Sequence, residues 1–190
     1  MLGIKEYPDG HCSVQELLSH TSATPDVYYT TLRMDPIVQD SQGLVYFIGE
    51  KACINCHGQE NRHFTETLHA KAFRLNPKNE REAQVCESCH GPGSLHAKKT
   101  ADKSLIIGFT KRWDTPIEVQ NGQCLGCHQG GNRLHWPGST HATNQLGCAD
   151  CHNPMERVAP NSLLARLTVS ETCQSCHQQQ RAEFNKRSHM

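Results

Sequence analysis

The sequence predicts a mostly irregular chain with a few short α-helices, whose interior is filled by something other than aliphatic side chains. Val, Ile, Leu and Phe make up only 35 of the 190 residues, whereas the chain contains 11 cysteines and 13 histidines. This aliphatic fraction is below the roughly 20% that ordinary cores need. The net charge is zero, so charge-driven disorder is not indicated. Disulfides, metals or a large apolar cofactor are the remaining ways to fill the interior.

Several classes of protein are excluded by the same composition. No run of 18 apolar residues exists, so no transmembrane helix is predicted. The balanced charge gives no reason to expect nucleic acid or an anionic membrane as a partner. The first 30 residues lack a basic start followed by an apolar run, so no signal peptide is visible.

Ten cysteines fall into five copies of the pattern Cys-x-x-Cys-His, and only Cys12 is left over. The five copies are Cys53, Cys56 and His57; Cys86, Cys89 and His90; Cys124, Cys127 and His128; Cys148, Cys151 and His152; and Cys173, Cys176 and His177. This spacing is typical of c-type haem attachment, in which two thiols form thioethers and the histidine ligates the iron. We therefore predict five haem c groups, with these cysteines as anchors and these histidines as proximal ligands.

Other interpretations of the cysteines explain the Cys-x-x-Cys-His pattern less well. A zinc site uses two Cys-x-x-Cys pairs, or one such pair with two spaced histidines. Five Cys-x-x-Cys pairs cannot be grouped in twos, and zinc binding does not explain why a histidine directly follows each one. A disulfide framework does not explain the histidines. A thioredoxin-like dithiol would occur once, in a βαβ setting.

The spacing of the motifs predicts the domain organisation. From Cys53 to the end, 138 residues serve five haems, which is too little chain for a protein core around each one. The haems must therefore pack against one another and form the core themselves, as a stacked haem wire. We expect residues 1–50 to form a haem-free arm or covering segment and residues 51–190 to form the pentahaem domain. Within these regions short helices are predicted at 60–75, 161–168 and 171–187, and residues 43–49 are strand-like.

A finer repeat predicts the second axial ligands. A histidine follows the motif histidine by 12 or 13 residues in three places, and these histidines are His69, His141 and His189. His96 follows a Gly-Pro-Gly-Ser turn from which a loop can return to a haem. Electron-transfer haems have both axial positions filled, so these four histidines are the predicted distal ligands. His63 and His135 are weaker candidates, and His11 and His20 are weaker still. The sequence does not assign a distal ligand to a particular iron.

Met155 is the leading candidate for the fifth distal ligand, with His63 and His135 as alternatives. It follows the fourth motif in Cys151-His-Asn-Pro-Met155, where it could instead be an ordinary gap-filling side chain. A thioether ligand raises the potential of its haem relative to haems with two histidine ligands.

Several blocks between residues 44 and 190 resemble periplasmic decahaem cytochromes, which carry electrons through outer-membrane porin conduits and in dimethyl-sulfoxide respiration. The blocks are Ile48-Gly-Glu-Lys-Ala-Cys53, the stretch from Cys86 to His96, His135-Trp-Pro-Gly-Ser-Thr-His141, Cys151-His-Asn-Pro and Arg187-Ser-His-Met190. The chain is also similar to the pentahaem donor to periplasmic nitrite reductase. The resemblance implies haems with two histidine ligands, stacked in parallel and perpendicular pairs. His69, His96, His141 and His189 match distal-ligand positions of the family.

Two departures from the family pattern concern one ligand and the length. The family usually has histidine where this chain has Met155. Decahaem members also continue past Ser-His-Met into five further haems. The chain is therefore a natural pentahaem protein, the product of a split gene, or part of a longer protein.

The predicted function is electron transfer through five haems between periplasmic or extracellular redox partners, without enzymatic turnover. Expected partners are other cytochromes, a quinol dehydrogenase or a terminal reductase, and a larger membrane-associated or filament-like assembly. The alternative is a multihaem reductase acting on nitrite, hydroxylamine or a sulfur oxyanion, which needs one open haem site. Because haem c is attached outside the cytoplasm, the chain is expected to be exported. Cys12 is a candidate for a free thiol, an intermolecular disulfide or, with weaker support, a lipid anchor.

Overall fold

The computed structural model describes residues 45–186 as a series of short helices joined by turns and irregular segments. The α-helices of this part are α1 (Glu50–Ile54), α2 (Gly58–Thr65), α3 (Leu68–Leu75), α4 (Glu80–Ala83), α5 (Glu87–His90), α6 (Ser94–Lys98), α7 (Ile117–Leu125), α8 (Thr140–Thr143), α9 (Cys148–Cys151), α10 (Val169–Gln174) and α11 (Gln178–Phe184). Three 3-10 helices lie at Lys103–Leu105, Lys111–Trp113 and Gly131–His135. Across residues 45–186, each helix is too short or too polar to cross a membrane. The predicted fold class, irregular with short helices, is confirmed for this part of the chain.

The helix predicted over residues 60–75 is present as two helices, α2 and α3. Thr67 separates them, because its hydroxyl accepts a hydrogen bond from the backbone N–H of Ala70 (3.2 Å) and so caps the start of α3. Both residues are almost completely buried. The helix predicted over residues 171–187 is likewise divided, into α10 and α11, by the end of the fifth motif.

The helix predicted over residues 161–168 is wrong. Ser162 and Leu163 have φ angles of 59° and 47°, which a right-handed helix does not allow. The segment forms hydrogen bonds with the fourth motif instead of with itself. The N–H of Asn153 donates to the carbonyl of Leu163 (2.7 Å), and the N–H of Ala165 donates to the carbonyl of Cys151 (2.9 Å).

The strand-like run at residues 43–49 is not a strand over its described part, residues 45–49. Its backbone N–H groups donate to side chains rather than to a neighbouring strand. The N–H of Tyr46 donates to the hydroxyl of Ser94 (3.1 Å), and the N–H of Ile48 donates to the carboxylate of Glu87 (3.0 Å). In residues 45–186 the β-structure amounts to an isolated antiparallel bridge between His152 and Leu164.

The protein core is small, as the composition predicts. The buried apolar side chains of the described part are Phe64, Ala70, Val85, Leu95, Leu105, Ile107 and Ala159. Many large apolar side chains are exposed instead, among them Leu75 at 82% and Phe184 at 81%.

Residues 105–115 form a loop that covers the second motif. The N–H of Ile107 donates to the carbonyl of His90 (3.0 Å), and the N–H of Gly108 donates to the hydroxyl of Thr115 (3.0 Å). Gly108 is buried, and a Cβ atom there would lie 2.1 Å from Cγ of Trp113. The loop therefore depends on a residue without a side chain at position 108.

We expect Gly108→Ala to destabilise the protein by about 1–3 kcal/mol, because the added methyl group collides with the indole. Gly122→Ala is the matched control, since a Cβ there meets nothing within 4 Å on the exposed side of α7. Alanine at that helical position should stabilise the protein by up to about 1 kcal/mol. Thermal unfolding of the exported, haem-loaded variants measures both effects, and equal midpoints for the two variants would contradict this account of the loop.

Candidate functional site

All five motifs adopt the same local geometry. In each one, the backbone N–H of the motif histidine donates to the carbonyl of the first cysteine, four residues earlier. The distances are 3.0 Å for His57, 3.2 Å for His90, 2.9 Å for His128, 2.9 Å for His152 and 3.0 Å for His177. This is one helical turn, and residues three and four apart lie on the same face of such a turn. The two thiols and the imidazole of each motif therefore share a face, as haem attachment requires.

The first and second motifs are joined by the carboxylate of Glu87, a spacer residue inside the second motif. Its oxygens accept hydrogen bonds from the N–H groups of Ile48 (3.0 Å) and Gly49 (2.8 Å), which directly precede α1 and the first motif. They also accept one from the N–H of Gly93 (2.7 Å), in the turn after the second motif. Glu87 is only 3% exposed. A buried carboxylate thus fixes one haem-binding helix against the next.

The second and third motifs are joined by the guanidinium of Arg81. It donates to the carbonyl of Ser88 (3.1 Å), inside the second motif, and to the carbonyl and side-chain oxygen of Gln123 (3.1 and 2.9 Å), next to the third motif. A Cβ at Gly126 would lie 2.3 Å from an Arg81 nitrogen. The glycine in the third motif therefore makes room for this contact.

The third and fourth motifs are joined by the amide of Asn121, on α7. Its oxygen accepts a hydrogen bond from the N–H of Cys148 (2.8 Å), and its nitrogen donates to the carbonyl of Leu146 (3.3 Å). Asn121 is 9% exposed. Both donor and acceptor of one buried amide are therefore used to position the start of the fourth motif.

The fourth and fifth motifs are also close. Burial raises the pKa of the Cys151 thiol, and the charges of Asp150 and of Cys173 and Cys176 in the fifth motif raise it further. These four junctions place each motif next to its successor in the sequence.

The histidine rings meet in three pairs, each of which joins a motif histidine to a predicted distal histidine. The centroid distances are 6.2 Å for His57 and His96, 5.8 Å for His128 and His69, and 6.1 Å for His177 and His141. Histidine nitrogens bind metals at about 2.0–2.1 Å, so two rings on opposite sides of one metal have centroids about 6 Å apart. All three pairs therefore have the separation that suits one iron between them.

Each pair joins histidines from two different repeats, and the sequence did not predict which histidines would pair. His69 lies 12 residues after His57, yet its ring faces His128 of the third motif. His141 faces His177 of the fifth motif, and His96 reaches back to His57 of the first. Within residues 45–186, no group of three or more metal-binding side chains forms. Two side chains per site suit haem iron, because the porphyrin supplies the other four ligands.

Burial lowers the pKa of four histidines, which favours the neutral form that iron ligation requires. Burial lowers the pKa of His69, and the charge of His128 lowers it further. Burial also lowers the pKa of His96, with added effects of His57 and His90. The pKa values of His90 and His128 are lowered mainly by burial as well.

Two motif histidines are oriented by their other ring nitrogen. Nδ1 of His90 lies 2.7 Å from the carbonyl oxygen of Ile107, and Nδ1 of His152 lies 2.8 Å from that of Ser162. A proton on Nδ1 leaves Nε2 free for a metal, which is the usual arrangement of metal-binding histidines. The ring of Phe109 also stands edge-on against His90 (5.3 Å).

The motif cysteines carry the thiols that thioether formation needs. Nine of the ten are free thiols in the described residues. A hydrogen bond with Cys124 lowers the pKa of Cys148 to about 7. A hydrogen bond with Cys86 raises the pKa of Cys53. The first cysteines thus meet in pairs, from the first and second motifs and from the third and fourth.

The candidates for the remaining distal positions are less fully placed. Met155 is partly buried and packs against the apolar cluster of Phe64, Ala70 and Val85, which Cys86 of the second motif also contacts. Nδ1 of His63 lies 3.1 Å from a carboxylate oxygen of Glu156. His135 is exposed. The remaining candidates, His189, His11, His20 and Cys12, lie outside the described residues.

Comparison with known proteins identifies the class of protein. A family model described as cytochrome c-type protein, NrfB-like, matches residues 86–166. The multiheme cytochrome MtrA of Shewanella baltica (strain OS185) is 34% identical over 140 residues, which are 74% of this chain and 41% of that protein. The chain is a multihaem c-type cytochrome. This cytochrome spans about two fifths of the length of the MtrA protein that it matches. No solved structure matches it.

Sequence reasoning missed the residues that join the motifs. Glu87 occupies a spacer position of Cys-x-x-Cys-His, where any residue is accepted, and its partners are backbone groups of residues 48, 49 and 93. Nothing in the sequence distinguishes Arg81 and Asn121 from ordinary polar residues of a helix. The signal for Glu87 was its position, because an acidic spacer between two haem-anchoring cysteines is bound to lie near the cofactor.

We expect His69→Ala and His96→Ala each to leave one haem iron without a distal ligand, since the two rings face different motif histidines. Each single variant should therefore convert one of five haems to a high-spin form that binds carbon monoxide. The double variant should convert two, as counted by electron paramagnetic resonance or carbon monoxide titration. A double variant that still converts only one haem would contradict the assignment to separate irons.

Proposed function

We propose that this cytochrome transfers electrons along a row of five covalently bound haem c groups, held by residues 51–190. The main support is that each motif lies next to its successor, while three pairs of histidine rings have the spacing of axial ligands. When bound, haem c supplies a one-electron ferric–ferrous couple. A row without gaps is the arrangement that electron transfer over the length of a protein needs.

The side chains have three roles in this proposal. The ten motif cysteines anchor the porphyrins, and the five motif histidines are the proximal ligands. His96, His69 and His141 complete the coordination at the first, third and fifth motifs, in that order. Filled axial positions keep small molecules off the metal and limit its change of geometry on oxidation. These features favour electron transfer over the reduction of nitrite, hydroxylamine or a sulfur oxyanion.

Met155 is our proposed distal ligand for the second motif. It follows the fourth motif in sequence, but its side chain packs against the cluster of Phe64, Ala70 and Val85, which Cys86 of the second motif also contacts. A thioether there would raise the potential of that haem relative to its neighbours. His189 remains a proposed distal ligand whose iron the described residues do not identify.

The compartment and partners follow from the attachment chemistry and from the relatives. Haem c is attached outside the cytoplasm, so we propose an exported, periplasmic or extracellular protein. Its partners would be other redox proteins, such as a quinol dehydrogenase, a second cytochrome or a terminal reductase. Similarity to a longer multiheme cytochrome fits a role within a larger membrane-associated assembly.

The proposal predicts five haems per chain after export in a strain that matures c-type cytochromes, as counted by the pyridine haemochrome method. All five should be reducible, and each should be re-oxidised by an electrode or by a second cytochrome. No nitrite or hydroxylamine should be consumed when an electron donor is supplied. Catalytic reduction of either compound would favour the reductase, and a chain loaded with zinc instead of haem would refute the proposal.

We expect Met155→Leu to convert one haem to a high-spin form, because leucine fills the same space but cannot bind iron. Met155→His should restore a low-spin haem with a lower potential than in the natural chain. Redox titration and electron paramagnetic resonance measure both effects. A fully low-spin Met155→Leu protein would show instead that Met155 only fills the gap beside Phe64 and Val85.

A further inference from the structure

Glu87 and Arg81 carry opposite charges at consecutive junctions of the row. Glu87 lies between Cys86 and Cys89, the two anchors of the second motif, and Arg81 bridges the second and third motifs. Both side chains are therefore next to positions where haem is attached. Neither has a role in attachment or ligation.

The side-chain oxygens of Glu87 are surrounded by hydrogen-bond donors. It accepts hydrogen bonds from the N–H groups of Ile48, Gly49 and Gly93, and all three partners are donors. A carboxylate satisfies such a set of donors, whereas a protonated carboxyl group has a hydrogen of its own to donate. The side chain is buried, so water screens its charge only weakly.

The guanidinium of Arg81 is held by neutral oxygens. Its partners are the carbonyl of Ser88 and two oxygens of Gln123. Among residues 45–186, the ion pairs are Arg74 with Glu50, His57 with Glu60 and His63 with Glu156. In that part of the chain, neither Glu87 nor Arg81 is therefore paired with an opposite charge.

Uncompensated charges of this kind act on redox potential. Ferric haem carries one more positive charge than ferrous haem, so a nearby anion stabilises the oxidised form and lowers the potential. A nearby cation has the reverse effect. The interaction is strong where the surroundings have a low dielectric constant.

We propose that Glu87 lowers the potentials of the haems at the first two motifs, and that Arg81 raises the potentials at the second and third. This inference rests on the proposed function, because it requires haem at those motifs. Together the two charges make the haem potential increase from the first motif to the third. This increase favours the movement of electrons from the first motif towards the third.

Spectroelectrochemical titration of the haem-loaded protein tests this proposal with charge-changing variants. Glu87→Gln should shift part of the titration curve to higher potential, and Arg81→Gln should shift part of it to lower potential. Arg81→Lys retains the charge and should leave the curve close to that of the natural protein. Glu80→Gln removes the same charge from an exposed position on α4 and serves as the matched control.

Haem count and the low-spin spectrum separate this proposal from the proposed function. Fewer than five haems in the natural chain would count against the function, whereas the tuning proposal concerns only the potentials. It would be overturned if Glu87→Gln shifted the curve no more than Glu80→Gln, or if the Arg81 variants shifted it equally. If Glu87→Gln does not retain its haems, the comparison of Arg81→Gln with Arg81→Lys decides the question.

Discussion

The proposed ligation of a haem iron by two axial histidines would join parts of the chain that are far apart in sequence, and three such pairs of rings meet within residues 45–186. In this proposal each motif supplies one imidazole locally, and at the first, third and fifth motifs the second imidazole comes from another repeat. His69 and His128 are separated by more than fifty residues, and their ring centroids lie 5.8 Å apart. Short helices, tight turns and irregular segments suit this task, because they let the chain double back between irons.

The motifs are held at their spacing by buried polar contacts, since there is little aliphatic core to do so. Glu87, Arg81 and Asn121 each connect one motif to the next through backbone or amide groups. Such contacts are directional, and a buried polar group left without a partner is costly. Polar contacts therefore fix the distance and orientation between successive motifs more strictly than apolar contacts of the same area do. In a row of redox centres, this strictness bears directly on the rate of electron transfer.

The local geometry of the motifs was predictable from the sequence, whereas the long-range pairing of the histidines was not. Each Cys-x-x-Cys-His motif forms one helical turn, so its cysteines and histidine share a face whatever the rest of the chain does. The pairing of His96 with His57 depends on the tertiary fold of the segments that carry them, and the spacing of the motifs does not predict that fold. The prediction of a helix at residues 161–168 was wrong for a related reason. The backbone groups of this segment bond to Asn153 and Cys151, and this tertiary pairing overrides a local helical preference.

The order of the motifs in space is the central claim, and locating the five irons in crystals of the haem-loaded protein tests it most directly. Anomalous scattering at the iron absorption edge gives these positions without assumptions about the protein fold. The account predicts five irons in a continuous row from the first motif to the fifth. The first, third and fifth should lie between His57 and His96, His128 and His69, and His177 and His141. A row that skips a motif, or an iron ligated by a different pair, would contradict it.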